Sequence, residues 1–219
     1  MNTRKSPQVS TRKPPQQARS TALVAAILEA AVQVLAAEGA ARFTTARVAQ
    51  RAGVSVGSIY QYFPNKAAIL FRLQSDEWRE TVAMLRQILT DQREPALQRL
   101  RALVHAFMRS ECEEARMRGA LHDAAPLYRD APEAQEVRAA GRQLFAEFVE
   151  EVLPQLQAQR RELVAHTIAT TLSAVGKDFS GSPRSPAEID AHADALADML
   201  CAYLASLGAP PRVARKVRR

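Results

Sequence analysis

Cysteine is nearly absent: Cys112 and Cys201 stand far apart in a chain of 219 residues. Two such cysteines point to neither a disulfide framework nor a metal pair, and read as reduced core thiols. Aromatic residues are scarce, at 5%. No apolar run approaches the roughly 20 residues of a membrane-spanning helix. The N-terminal stretch MNTRKSPQVSTRKPPQQARS is basic but has no apolar segment behind its charges, which excludes a secretory signal. Alternating β-branched patterns are missing. So are the GxSxG and HExxH motifs, the phosphate-cradling glycine loop and any paired-carboxylate signature. His105, Cys112, Glu113 and His122 match no metal-ligand spacing. These absences predict a cytoplasmic protein that is not an enzyme and uses no metal or cofactor.

Charge is distributed unevenly. Residues 1–75 carry ten bases and two acids, a net +8, and residues 207–219 carry five bases and no acid. The whole chain is +7, which leaves −6 for residues 76–206. A basic front and tail on an acidic body suggest that one part faces a polyanion and the rest avoids it. Charge alone is equally compatible with a solvated surface, or with a protein that coats DNA without reading it.

The apolar pattern predicts an all-α protein. Residues 1–19 read as a flexible basic arm. Leu23, Ile27, Ala30, Ala31, Val34 and Leu35 give a first helix, with Ser20 as its N-cap and Gly39 at its end. Thr44 or Thr45 caps a second helix, whose apolar face is Val48, Ala49 and Ala52. Gly53 ends it, Ser55 caps a third helix, and Asn65 caps a fourth that runs from Lys66 to about Thr90. Further helices are expected near 94–116, 118–129, 133–157, 159–179 and 186–207, with breaks at Pro95, Gly119, Pro126, Pro132 and Pro154. The expected organisation is an arm (1–19), a DNA-binding domain (20–66), a ligand-binding and dimerisation domain (67–207) and a basic tail (208–219).

Two short helices joined by a glycine turn, Gly53-Val54-Ser55, make a helix-turn-helix. Val54 and Ile59 plug the gap between them. The face left for a DNA major groove is Ser55, Val56, Gly57, Ser58, Gln61 and Tyr62. From Gly39 to Ser75 there is no Asp or Glu, as a phosphate-facing surface requires. Gln61 is the best side chain for a base edge, ideally adenine, while Val56 offers only apolar contact to a thymine methyl. Arg42, Arg47 and Arg51 read equally as DNA contacts or as ordinary surface residues. Phe63 reads as core.

The stretch FTTARVAQRAGVSVGSIYQYFPNKAAIL resembles the N-terminal DNA-binding domain of the TetR family of bacterial transcriptional repressors. The shared pattern is the Thr-Thr cap, the alanine of helix two, Ala-Gly-Val-Ser at the turn, glycine followed by Tyr-x-Tyr-Phe, and a lysine before an apolar pair. It covers about residues 20–70. The resemblance implies roughly nine helices, three for DNA and the rest a ligand-binding, dimerising body. It implies that Thr45, Tyr60, Tyr62 and Lys66 touch phosphates and that Gly57 lets the backbone come close to DNA. Ala46 departs from the basic side chain of some members, and Val56 from a polar base reader.

The resemblance further implies a homodimeric repressor on double-stranded operator DNA, released by a small-molecule effector. Helices 159–179 and 186–207, rich in small and apolar residues, are the dimer candidates. Ligand-lining candidates are Trp78, Phe107, Met108, Cys112, Met117, His122, Phe145, Phe148 and His166, a set that suits a hydrophobic or amphipathic effector.

Overall fold

The computed structural model describes residues 8–10 and 18–209. Within them the chain forms α1 (Ala18–Arg42), α2 (Thr45–Ala52), α3 (Val56–Tyr60), α4 (Lys66–Leu89), α5 (Ala96–Glu113), α6 (Ala115–Ala124), α7 (Pro132–Val152), α8 (Ala158–Ser180) and α9 (Pro186–Ser206). A short 3-10 turn, Ala125–Leu127, follows α6. The all-α fold read from the sequence is correct, with no strand among the described residues. Residues 1–7 and 11–17 of the expected arm, and 210–219 of the expected tail, lie outside the described residues.

The described chain forms two compact units. The first contains residues up to Arg79 together with Arg116–Arg138. The second contains Glu80–Ala115 and the residues from Ala139 onward. In the first unit, α1 packs on α2 and α2 on α3. Val24, Ile27, Ala31, Val34, Leu35, Phe43, Val48, Ile59, Phe63, Ile69 and Leu70 fill its core, with Leu121 and Tyr128. A buried polar network lies in the same unit. Gln74 donates to Glu77 (2.9 Å), Arg118 pairs with Glu77 (3.0 Å), and the Tyr128 hydroxyl donates to the Leu121 carbonyl (2.8 Å). Burial pushes the Tyr128 phenol well above its ordinary range.

In the second unit α5 packs on both α8 and α9. Leu100, Leu103, Val104, Met108, Phe148, Val149, Val164, Ile168, Leu196 and Leu200 are buried there. Gly176 brings α8 against α5: a Cβ at this position would lie 2.7 Å from the Phe107 ring. Arg99, 3% exposed, satisfies the Leu89 carbonyl at the end of α4 and pairs with Glu151. On the surface, Arg101 and Arg109 of α5 pair with Asp198 and Asp190 of α9, and between them His105 Nε2 lies within hydrogen-bond distance (3.1 Å) of Asp194.

Several expectations need correction. The first helix begins at Ala18, so Ser20 lies within its first turn and is not the cap. The stretch Ser20–Arg42 is, by length and composition, apolar enough to cross a membrane. Its many alanines make this stretch longer and more apolar than the sequence-based expectation allows. In the structure Val24, Ile27, Ala30, Ala31, Val34 and Leu35 of this helix are core. Gly119 lies inside α6, because one glycine costs a helix only about 1 kcal/mol. The break falls instead at Glu114, whose φ of −104° and ψ of 9° leave the helical region. The seventh helix ends at Val152 rather than 157, two residues ahead of Pro154.

Candidate nucleic-acid interface

The helix-turn-helix is assembled by local rules. The Thr44 side chain accepts from the Arg47 amide (3.3 Å) and starts α2. Gly53 ends it in the left-handed conformation, φ 67° and ψ 29°, which a Cβ would disfavour. The Val54 amide then bonds to the Ala49 carbonyl at 3.0 Å. Ser55 caps α3 by accepting from the Ser58 amide (3.0 Å), and its hydroxyl lies 2.9 Å from that of Ser58. Ile59, fully buried, pins this five-residue helix to the core. Its burial is worth about 2 kcal/mol. Asn65 caps α4 through the Ala68 amide at 2.9 Å.

The surface left by this arrangement is specific. Ser55, Val56, Gly57, Tyr60 and Gln61 are exposed, and Ser58 is half-buried. Val56 and Tyr60 are two of the four exposed large hydrophobic residues among those described, at 38% and 41%. Thr45 at the start of α2 and Tyr60 at the end of α3 meet, their hydroxyls 3.4 Å apart. Lys66 is the first residue of α4, at a helix N-terminus, where an anion is favoured. Gly57 is informative. A Cβ there would meet only Ser55 Oγ at 3.7 Å, an ordinary contact, and its φ is not positive. Among the described residues, nothing requires glycine at this position.

Three other candidates are engaged by the chain itself, Tyr62 in the core and the exposed Arg47 and Arg51 in pairings between α2 and α1. Tyr62 is 8% exposed and belongs to the first unit's core. The sequence reading placed it on the exposed face of α3, but the helix ends at Tyr60, and the Tyr62 amide closes a turn onto Ile59 (3.0 Å). The ring then follows Phe63 inward. Arg47 is ion-paired to Glu38 and donates to the Arg42 carbonyl at 3.2 Å. Arg51 donates to Gln33 at 2.6 Å. These arginines bind α2 to α1, and no local sequence signal announces such pairings.

The ligand candidates scatter. Trp78, Met117 and His122 belong to the first unit, with the Arg138 guanidinium 5.7 Å from the Trp78 ring. Phe107, Met108, Phe145 and Phe148 are buried in the second unit's core, and Cys112 is packed against it. Burial, together with the neighbouring Glu111, pushes the Cys112 thiol up. His166 is exposed and lines a cleft of about 510 Å³ between α7 and α8, with Arg142, Gln143, Arg161 and several alanines. The other eight do not line that cleft.

The dimer candidates split as well. Ile168, Leu172, Leu196 and Leu200 are core, whereas Leu163 of α8 and Met199 of α9 are 50% and 51% exposed.

Residues 27–73 match the family described as bacterial regulatory proteins, tetR family, and residues 95–207 match the tetracyclin repressor-like C-terminal domain. The chain belongs to the TetR family. It is accordingly a helical DNA-binding regulator, and TetR-family regulators are not catalytic. No group of three or more metal-ligating side chains occurs among the described residues. The nucleoid occlusion factor SlmA of Vibrio campbellii is 35% identical over 83 residues, which cover 37% of this chain and 42% of that protein. The chain thus spans less than half the length of the curated relatives it matches. Among solved structures, the fatty acid degradation regulator FadR from Bacillus halodurans superposes with a TM-score of 0.63 at 22% identity, covering 81% of this chain and 97% of that one. The SmeT–triclosan complex gives 0.60 at 20% identity, covering 90% and 100%. At these identities the likeness establishes a shared TetR-type fold.

Proposed function

We propose that this chain is a homodimeric, ligand-responsive repressor that binds a palindromic operator through α3 and is released by a small hydrophobic or amphipathic effector. The observation that carries the reading is Gly57. It lies on an exposed, acid-free helix face, and packing among the described residues gives no reason for a glycine there. The reason then lies outside the chain, in a surface that must come close. Gln61 and Val56 face base edges, while Thr45, Tyr60 and Lys66 hold phosphates, with Thr44, Ser55 and Ser58 fixing the helix ends. Arg47 keeps a structural role, and Tyr62 supports the surface from beneath.

Among the described residues, the other exposed large apolar side chains, Leu163 and Met199, lie on α8 and α9, the helices proposed here as the dimer face. The aromatic and methionine content of the second unit suits an apolar effector. Two fold relatives, a fatty acid degradation regulator and a protein in complex with triclosan, agree with that class. Both α4 and α7 run from one unit into the other. An effector that favours one arrangement of the second unit therefore shifts α4 and the recognition helix it carries, lowering operator affinity. The protein would act in the cytoplasm, where its operator is.

A gel-shift titration of the DNA upstream of its own gene tests this. A sequence-preferring complex at physiological salt is expected, and only salt-sensitive, sequence-blind binding would sink the reading. A second reading, a DNA-bound nucleoid factor, is favoured by the 35% identity to SlmA. Genome-wide binding at many dispersed sites, rather than at one or a few operators, would select it.

A further inference from the structure

The exposed side of α3 carries two rows of residues. Gly57 and Gln61, one helical turn apart, form one, and Val56 and Tyr60, also one turn apart, form the other. The second row is apolar. Val56 is 38% and Tyr60 41% exposed, and neither belongs to the buried cluster of the first unit or to the side chains packed against it. The Tyr60 hydroxyl lies 3.4 Å from Thr45 Oγ1, so the polar end of this row is fixed at the start of α2 and its apolar end is Val56. A lone exposed valine is ordinary on a protein surface. This one stands beside Gly57, in a stretch from Gly39 to Ser75 that holds no Asp or Glu.

We propose that Val56, flanked by Tyr60, reads the C5-methyl group of a pyrimidine in the major groove, and reads the methyl rather than the base that carries it. This rests on the DNA-binding reading of α3. Valine has no donor or acceptor. Set against a purine N7, a guanine O6 or a cytosine N4, it would strip water from a polar group and return no hydrogen bond. The thymine methyl is the one apolar group that the four bases display in this groove. It lies at the backbone side of the groove, next to its own strand, which suits a row whose other end meets a phosphate at Tyr60 and Thr45. Cytosine bears a hydrogen at the same carbon, and a methyl once it is methylated. Contact with Val56 therefore treats 5-methylcytosine as thymine, and methylation of a cytosine at that position switches the contact on. Gln61, on the neighbouring row, selects by hydrogen bonds and is indifferent to the methyl.

The test titrates the full-length protein, by fluorescence anisotropy, against synthetic duplexes of the upstream segment that it protects from hydroxyl radicals. Each thymine is replaced in turn by deoxyuridine, which lacks only the methyl. One thymine in each half-site should respond, with affinity falling about two- to fourfold, the worth of one buried methyl. In Val56→Ala that response should vanish while circular dichroism shows an unchanged helical spectrum. Tyr60→Phe keeps the ring and removes the hydroxyl, so it should weaken binding to every duplex alike and leave the methyl response in place. When the responsive T·A pair is replaced by C·G, methylating that cytosine at C5 should tighten binding by the same factor of about two to four. If the complex is sequence-preferring but no thymine responds, or if the response is as large in Val56→Ala as in the wild type, the proposal fails while the DNA-binding reading stands. The proposal fails equally if methylating the cytosine changes nothing, since the base and not the methyl is then read. If no duplex is preferred over random sequence, the DNA-binding reading of α3 itself fails and takes the proposal with it.

Discussion

Replacing Gly57 with alanine separates folding from DNA binding. Gly57 is the second residue of α3, is exposed, and has no positive φ. The new methyl would meet one atom, Ser55 Oγ, at 3.7 Å, so it enters without strain. Alanine restricts the unfolded chain and favours helix, which stabilises the native state by about 0.4–1 kcal/mol. For a chain of this length that is a rise of roughly 1–4 °C in Tm. The effect on DNA has the opposite sign. A methyl on the approaching surface forces α3 back from the groove, and losing even one good contact of about 1.4 kcal/mol lowers affinity tenfold. The paired assay is thermal unfolding followed by circular dichroism, and operator titration by fluorescence anisotropy at fixed salt. Gly57→Ala should melt higher and bind at least tenfold more weakly. If affinity is unchanged, Gly57 is not at the interface and the main support for the proposed function is gone. If the variant melts lower, the space around Gly57 does not accept a methyl.

Lys66→Ala should weaken binding to all sequences alike and reduce the salt slope by about one unit or less, whereas Gln61→Ala should change preference at one base pair by about 1–3 kcal/mol. Competition titrations against single-base operator variants distinguish the two. Tyr60 and Tyr62 should part company: Tyr60→Ala leaves stability within about 0.5 kcal/mol and lowers affinity. Tyr62→Ala removes a buried ring and costs about 3–5 kcal/mol in urea denaturation. Leu163→Glu combined with Met199→Glu should keep the helical spectrum and halve the sedimenting mass, because both side chains are half exposed in the single chain. Asn65→Ala removes the cap of α4 and should cost about 1 kcal/mol of stability, read from the same denaturation curves.

What was legible in the sequence was local. Thr44, Gly53, Ser55 and Asn65 act within three or four residues of themselves, so their roles as caps and turn could be read directly and are seen in the structure. Tyr62 misled because helical spacing was carried past the end of a five-residue helix. Arg47 and Arg51 were undecidable, since Glu38 and Gln33 become their neighbours only when α2 packs on α1. Periodicity marked α8 and α9 as apolar but could not tell the face carrying Ile168 and Leu200 from the one carrying Leu163 and Met199. The ligand candidates were least legible, because Phe107, Met108 and Phe148 have the same chemistry as core and as lining. Val9, buried in the first unit's core, went unnoticed as a single apolar residue in a basic stretch, with no period to reveal it.

In a dimeric regulator of this kind, two copies of α3 would read one operator. Hydroxyl-radical footprinting of the bound upstream DNA tests it most directly. Two protected patches are expected on one face of the duplex, centred one helical turn or a small multiple of about 34–36 Å apart and related by inverted sequence. These patches should disappear together in the Leu163→Glu, Met199→Glu double variant. A single patch that survives in that variant, or uniform protection without boundaries, would contradict it.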